Sequence, residues 1–175
     1  AAGPAEPDPE KTARGLDLIT SSLRRPAGDV LDPRVKSMNY LNNVLAKREA
    51  RTRGADDALV LNGLGLIAEA SATNVFALTG NRLDTPQLTD GALEGLTRRT
   101  VMELAVEMGL EVRERSLGRF DLYAADAAFL TGSRAGLIAV GSLDGSPISQ
   151  TGRAQVDTIG EAFVARAREL SVPVD

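Results

Sequence analysis

The 175-residue sequence predicts one α+β domain with a mixed sheet and surrounding helices, and three observations carry that expectation. Segments of alternating or continuous apolar residues are interspersed with segments of helical apolar spacing, without the regular strand–helix rhythm of a doubly wound fold. The length suits one well-buried domain and is short for two of ordinary size. The composition, 43% hydrophobic and 25% charged, is that of a globular chain.

In chain order, residues 1–15 (AAGPAEPDPEKTARG) are rich in Pro, Ala and charge, lack apolar periodicity, and read as a linker or disordered start. Residues 16–175 form the domain. Residues 16–23 (LDLITSSL) suit a strand, and Asp32-Pro33 makes a break. From Met38 to Arg53 the residues Leu41, Val44, Leu45 and Ala50 recur at helical spacing, and Gly54 is placed to end that helix. Residues 58–61 (ALVL) and 66–69 (LIAE) read as two strands joined by Asn62-Gly63-Leu64-Gly65, a hairpin signal. Residues 74–78 extend the sheet, and Gly80-Asn81 turns the chain back into 82–85. Residues 97–108 form a second amphipathic helix with Val101, Leu104 and Met108 on one face, ended by Gly109. A strand at 111–116, a short helix at 120–125 and strands at 128–131 and 137–143 follow. A helix at 155–170 closes the chain, with Ile159, Phe163, Val164 and Ala167 expected inward.

A net charge of −4 leaves no electrostatic footprint for nucleic acid or an anionic membrane. No apolar run has the length of a transmembrane helix, and residues 1–10 have neither the basic start nor the apolar core of a signal peptide. The expectation is a soluble, cytoplasmic protein. With no cysteine, disulfides, thiol nucleophiles and thiolate metal sites are excluded. With no histidine, the commonest general base and metal ligand are missing as well. Acid–base chemistry near neutral pH must then use a lysine, a carboxylate or a bound cofactor.

Four places could carry such chemistry. Lys36 stands between the Asp32-Pro33 break and the following helix. A lysine beside a helix N-terminus is disfavoured as a cation, which suits an imine-forming amine; the plain alternative is a solvated surface lysine. Glu69 ends an apolar strand between Ala68 and Ala70, so it either pairs with a buried cation or reaches water at the strand end. Gly95-Leu96-Thr97 opens a helix; Thr97 suits an N-cap, and the free N–H groups of a helix start also suit an anion. Thr131-Gly132-Ser133-Arg134 is a second small polar turn, with an ordinary loop as its plain reading.

In this order, the stretches 36–45 (KSMNYLNNVL), 69–76 (EASATNVF), 91–97 (GALEGLT) and 129–133 (FLTGS) resemble the class IV aminotransferases, which include branched-chain and D-amino-acid aminotransferases and aminodeoxychorismate lyases. The resemblance implies the large C-terminal, cofactor-binding domain of a fold-type IV enzyme using pyridoxal 5′-phosphate (PLP). It implies that Lys36 is the Schiff-base lysine and later moves the proton, that Glu69 pairs with the protonated pyridine nitrogen, and that Leu93 packs on the ring. It further implies that Leu96 and Thr97 hold the phosphate, completed by Ser133 and Arg134, and that Tyr40 bonds the phenolic oxygen. The implied reaction moves an amino group between an amino acid, such as a branched-chain one, and a 2-oxo acid, in a homodimer.

The sequence departs from the family at several points. Ala70 stands where glycine is usual, and Thr73 where branched-chain enzymes commonly carry a second glutamate. Residues 133–140 lack the glutamate and proline usual in many transaminases, which leans toward the lyase-like members. The family's smaller α/β lobe, with its phosphate-contacting arginine, has no counterpart in this chain. The expectation is that the same or another chain supplies it, that residues 1–10 connect to it, and that this chain alone turns over substrate poorly.

Overall fold

The computed structural model describes residues 9–133 and 135–170. Its elements are α1 (Pro9–Arg14), β1 (Leu16–Arg24), α2 (Leu41–Thr52), β2 (Asp57–Leu61), β3 (Ile67–Ala70), β4 (Asn74–Thr79), β5 (Arg82–Thr85), a 3₁₀ turn (Leu88–Asp90), α3 (Leu96–Glu107), β6 (Glu111–Glu114), α4 (Arg119–Tyr123), β7 (Ala127–Gly132), β8 (Gly136–Leu143), β9 (Ser146–Pro147) and α5 (Arg153–Leu170).

The strands form one mixed sheet in the order β3-β2-β1-β8-β7-β4-β5-β6, with β9 paired to β8. Strand β1 runs parallel to both of its neighbours, β2 and β8, and β5 runs parallel to β6. Each of two parallel pairs is bridged by a helix, α2 between β1 and β2 and α3 between β5 and β6. The other pairings are antiparallel, so the α+β class expected from the sequence holds.

The central strands are covered on both faces. Along β4, Val75 and Ala77 enter one apolar cluster while Phe76 and Leu78 enter another. Strand β7 does the same with Ala128 and Leu130 against Ala127 and Phe129, and the rings of Phe76 and Phe129 stack across the pair at 5.0 Å. On β2, Leu59 and Leu61 join the first cluster and Ala58 and Val60 pack under α2. This is why these strands read as apolar runs rather than as clean alternation. The first cluster collects the same face of β1, β2, β4, β7 and β8, which requires a curled sheet.

Most elements fall where the sequence places them, and the departures have physical causes. Pro9–Arg14 is a short helix without a single buried residue. It is held instead by ion pairs of Lys11 and Arg14 with Asp56, each 2.7 Å, and by Arg153 donating to the carbonyl of Thr12, so apolar periodicity could not reveal it. Helix α2 starts at Leu41 rather than Met38 and seats on the sheet through Ala46 and Ala50, both fully buried, while the larger Leu41, Val44 and Leu45 face outward. Small side chains let the helix approach β1 and β2 closely, and the largest apolar residues of α2 are left on its other side. In α5, Ile159 is buried as expected, but Val164 and Ala167 are exposed; in α3, Val101 and Leu104 are buried, and Met108, just past its end, is 40% exposed.

Candidate active site

Lys36, Tyr40, Glu69, Leu93, Leu96, Thr97 and Ser133 all line one cavity of about 400 Å³, although they come from four separate stretches of chain. Arg134 lies outside the described residues. The loop of residues 25–40 brings Lys36 and Tyr40, β3 brings Glu69, and the segment before α3 brings Leu93. The start of α3 brings Leu96 and Thr97, and the β7–β8 turn brings Ser133.

Lys36 is exposed at the cavity mouth; its Nζ donates to the Tyr40 hydroxyl at 3.0 Å and sits 5.3 Å from that ring's centroid. Since α2 begins at Leu41, Lys36 lies outside the helix rather than at its start, and the expected contact with the helix dipole is looser than the sequence implied.

Glu69 lines the same cavity and is only 4% exposed. Its Oε1 accepts from Arg25 Nη2 at 2.6 Å, and its Oε2 accepts from the Leu93 amide at 3.0 Å and from Asn74 Nδ2 at 3.2 Å. Burial pushes this carboxyl above the ordinary range; the charge of Arg25 is the largest influence in the opposite direction, followed by the Leu93 amide and the charges of Lys36 and Arg98. Of the two readings open in the sequence, the buried pair is the one the fold adopts.

The Asn74 amide also donates to the Leu93 carbonyl at 2.8 Å, so Leu93 is pinned through both its backbone groups. Gly95 is the N-cap of α3, in place of the expected Thr97, and has no side chain to satisfy the first-turn N–H groups. A Cβ at position 95 would collide with Asn74 Oδ1, so only glycine fits there. Thr97, in the first turn, is 5% exposed. An anion set against Leu96 and Thr97 would meet unsatisfied backbone donors and the positive end of the helix.

Two further residues bear on whether a polar ligand suits this cavity. The hydroxyls of Thr73 and Thr131 are buried, line the cavity and have no hydrogen-bond partner among the described residues. Such orphaned groups are costly unless a ligand or water meets them. A buried carboxylate, an uncapped helix start and unpaired hydroxyls lining one cavity suit a flat ring with a cationic nitrogen and a phosphate arm. The amine of Lys36 faces the same space.

Sequence reading missed Arg25, Asn43, Asn74 and Arg98. Arg25 follows β1 directly and carries no local signature. Asn43 bridges Arg25 and the Ser71 carbonyl, and Arg98 is buried against Glu114 and the Pro86 carbonyl. Asn74 stands inside one of the four motif stretches, but its bonds to Glu69 and Leu93 depend on partners remote from it or specified only by strand geometry.

Comparison with known proteins places the fold and the family. The crystal structure of the T.th. branched-chain amino acid aminotransferase with pyridoxamine 5′-phosphate superposes with a TM-score of 0.85 at 34% identity, covering 91% of this chain and 53% of that one. The PLP form of the Thermobaculum terrenum branched-chain amino acid aminotransferase gives a TM-score of 0.79 at 38% identity, over 89% of this chain and 54% of the other. The fold is therefore that of a fold-type IV lobe. In sequence, the branched-chain-amino-acid aminotransferase of Escherichia coli (strain K12) is 37% identical over 142 residues, 81% of this chain and 46% of its own length. The sequence model of the amino-transferase class IV family matches residues 2–143. The chain belongs to the class IV aminotransferases. It spans about half the length of the relatives it matches.

Proposed function

We propose that this chain is the cofactor-bearing lobe of a PLP-dependent transaminase that moves an amino group between an amino acid and a 2-oxo acid. The observation that carries the reading is the convergence of Lys36, buried Glu69 and the uncapped start of α3 on one cavity. Bound there, PLP supplies an electron-withdrawing ring that stabilises negative charge at the substrate's α-carbon.

The residues divide the remaining work. Lys36 Nζ would hold the cofactor and would be the amine of this cavity placed to carry the proton at that carbon; this chain has no histidine to compete for the role. Tyr40, already bonded to Lys36 Nζ, holds the phenolic oxygen and keeps the amine nearby. Glu69 accepts from the ring nitrogen and keeps it protonated. Leu93, fixed through its backbone, packs on the ring face. The amides of Leu96 and Thr97, with the Thr97 hydroxyl, receive the phosphate, and Ser133 with the Arg134 backbone completes that cup.

The relatives' names support a branched-chain amino acid as donor. Further walls of the pocket, among them a phosphate-contacting arginine, come in this reading from a smaller lobe supplied by the same or another chain. Residues 1–15 serve as its connection, and the whole works as a cytoplasmic homodimer.

The test is spectroscopic. Titrating the chain with PLP should produce a visible band that Lys36→Ala abolishes while free cofactor absorption remains. A band unaffected by Lys36→Ala would remove the central residue of the proposal. Adding leucine with 2-oxoglutarate, and separately aminodeoxychorismate, then distinguishes transamination from the lyase reaction of other family members.

A further inference from the structure

Arg25 has no place in the division of work above, yet it is among the most completely engaged side chains in the structure. Its side chain is 9% exposed. Each nitrogen of its guanidinium donates once: Nη2 to Glu69 Oε1 at 2.6 Å, Nη1 to Asn43 Oδ1 at 3.0 Å, and Nε to the Gly91 carbonyl at 2.9 Å. Its backbone is tied as well, with the amide donating to the Leu61 carbonyl at 2.8 Å. Asn43 is in turn fixed by donating to the Ser71 carbonyl at 2.6 Å. The chain makes room for this side chain at Gly91, whose φ is +104° and where a Cβ would lie 2.8 Å from Arg25 Cγ.

Resting on the reading of Glu69 as partner of the ring nitrogen, we propose that Arg25 is a positioning residue that keeps Glu69 ionised and aimed at that nitrogen. Glu69 lies where burial favours its neutral form, and a neutral acid cannot retain a proton on a pyridine nitrogen. The cations that act on it are Arg25 after β1, Lys36 in the loop and Arg98 on α3. Lys36 is engaged at the reacting end of the cofactor, and Arg98 directs its bonds to Pro86 and Glu114. Arg25 alone of the three touches the carboxylate. By occupying Oε1 while Leu93 and Asn74 occupy Oε2, it also holds the carboxylate plane, so the remaining acceptor capacity has one direction. Asn43 then links that setting to α2, the helix that follows the Lys36 loop.

The decisive measurement is the pH profile of the visible band of the PLP-loaded chain, with folding followed separately by circular dichroism. Arg25→Met keeps length and removes charge. Losing the positive ring nitrogen makes the nitrogen joined to Lys36 hold its proton more tightly. The midpoint should therefore move upward by about one pH unit or more, in the same direction as in Glu69→Gln. Cofactor affinity should fall about tenfold. A folded Arg25→Met with the unsubstituted chain's profile and affinity would overturn the proposal and leave Arg25 a packing residue. Should Arg25→Met not fold, Arg25→Gln decides, since it removes the charge while keeping a polar amide at that position. A midpoint displaced the same way supports positioning, and an unchanged one overturns it. Failure of the unsubstituted chain to form any Lys36-dependent band would instead overturn the cofactor reading, and this inference with it.

Discussion

Thr131 is 1% exposed on β7 and lines the cavity with a hydroxyl that bonds to nothing among the described residues. A buried unpaired hydroxyl costs about 1–3 kcal/mol, which a ligand able to bond it returns. Thr131→Val should therefore act in opposite senses on two measurements. The cofactor-free chain should melt a few degrees higher, by the scaling of about 2–4 °C per kcal/mol for a chain of this size. The apparent affinity for PLP should fall about fivefold, one hydrogen bond's worth. Unchanged affinity, by equilibrium titration of the visible band, would take Thr131 out of the site. The sequence places Thr131 in a candidate polar turn but does not show that its hydroxyl is buried without a partner, and Arg25 it does not single out at all. A threonine in an apolar strand looks like ordinary β-propensity, and nothing in Arg24-Arg25 says which arginine turns inward.

Between elements, the tie that matters for the site is α2 against β1, because the loop carrying Lys36 and Tyr40 spans them. Two alanines seat the helix, and Glu49 fastens it: its carboxylate accepts from Ser21 Oγ at 2.7 Å and from the Ser22 amide at 3.0 Å. The Ser21 hydroxyl, foremost, holds the Glu49 carboxyl below its ordinary 4.5, with burial acting the other way. A carboxylate whose folded value is depressed contributes stability above its unfolded value, and that contribution is lost as pH falls through the folded one. Glu49→Gln should accordingly cost about 1–2 kcal/mol at pH 7. In urea unfolding across pH, the difference between the two proteins should close below about pH 4.5 and vanish at lower pH. A constant difference at all pH values would mean that packing, not charge, makes the tie. At this scale the sequence is readable for element type and less so for orientation. The helical period of α2 is plain, but side-chain size points to the wrong face, because the sheet selects the smaller residues that allow closer approach.

For the molecule as a whole, the unequal burial of apolar residues separates those that hold the fold from those that do not. Phe129 is fully buried in the middle of the sheet, stacked on Phe76 in the neighbouring strand. Leu41 is 65% exposed on α2. Phe129→Ala should cost about 3–5 kcal/mol in denaturant unfolding, while Leu41→Ala should stay within about 0.5 kcal/mol. Comparable losses at both positions would show that Leu41 is covered in solution. Among the described residues no helix is long and apolar enough to cross a membrane, in keeping with the charge and hydropathy of the chain.

The α+β class, nearly every element and the cavity residues Lys36, Glu69, Leu93, Leu96, Thr97 and Ser133 are all present in the linear order of residues. Each depends on short-range information: apolar period, turn residues, and motifs whose members lie within a few positions of one another. Local sequence leaves three things open, and the packed chain decides them. Glu69 faces a buried arginine rather than water. Gly95 rather than Thr97 opens α3. The order β3-β2-β1-β8-β7-β4-β5-β6 sets β1, first of the strands in the chain, beside β8, so that four remote stretches meet on one cavity. These are long-range pairings. Their energies come from burial and from partners dozens of residues away, so no local window of sequence contains them.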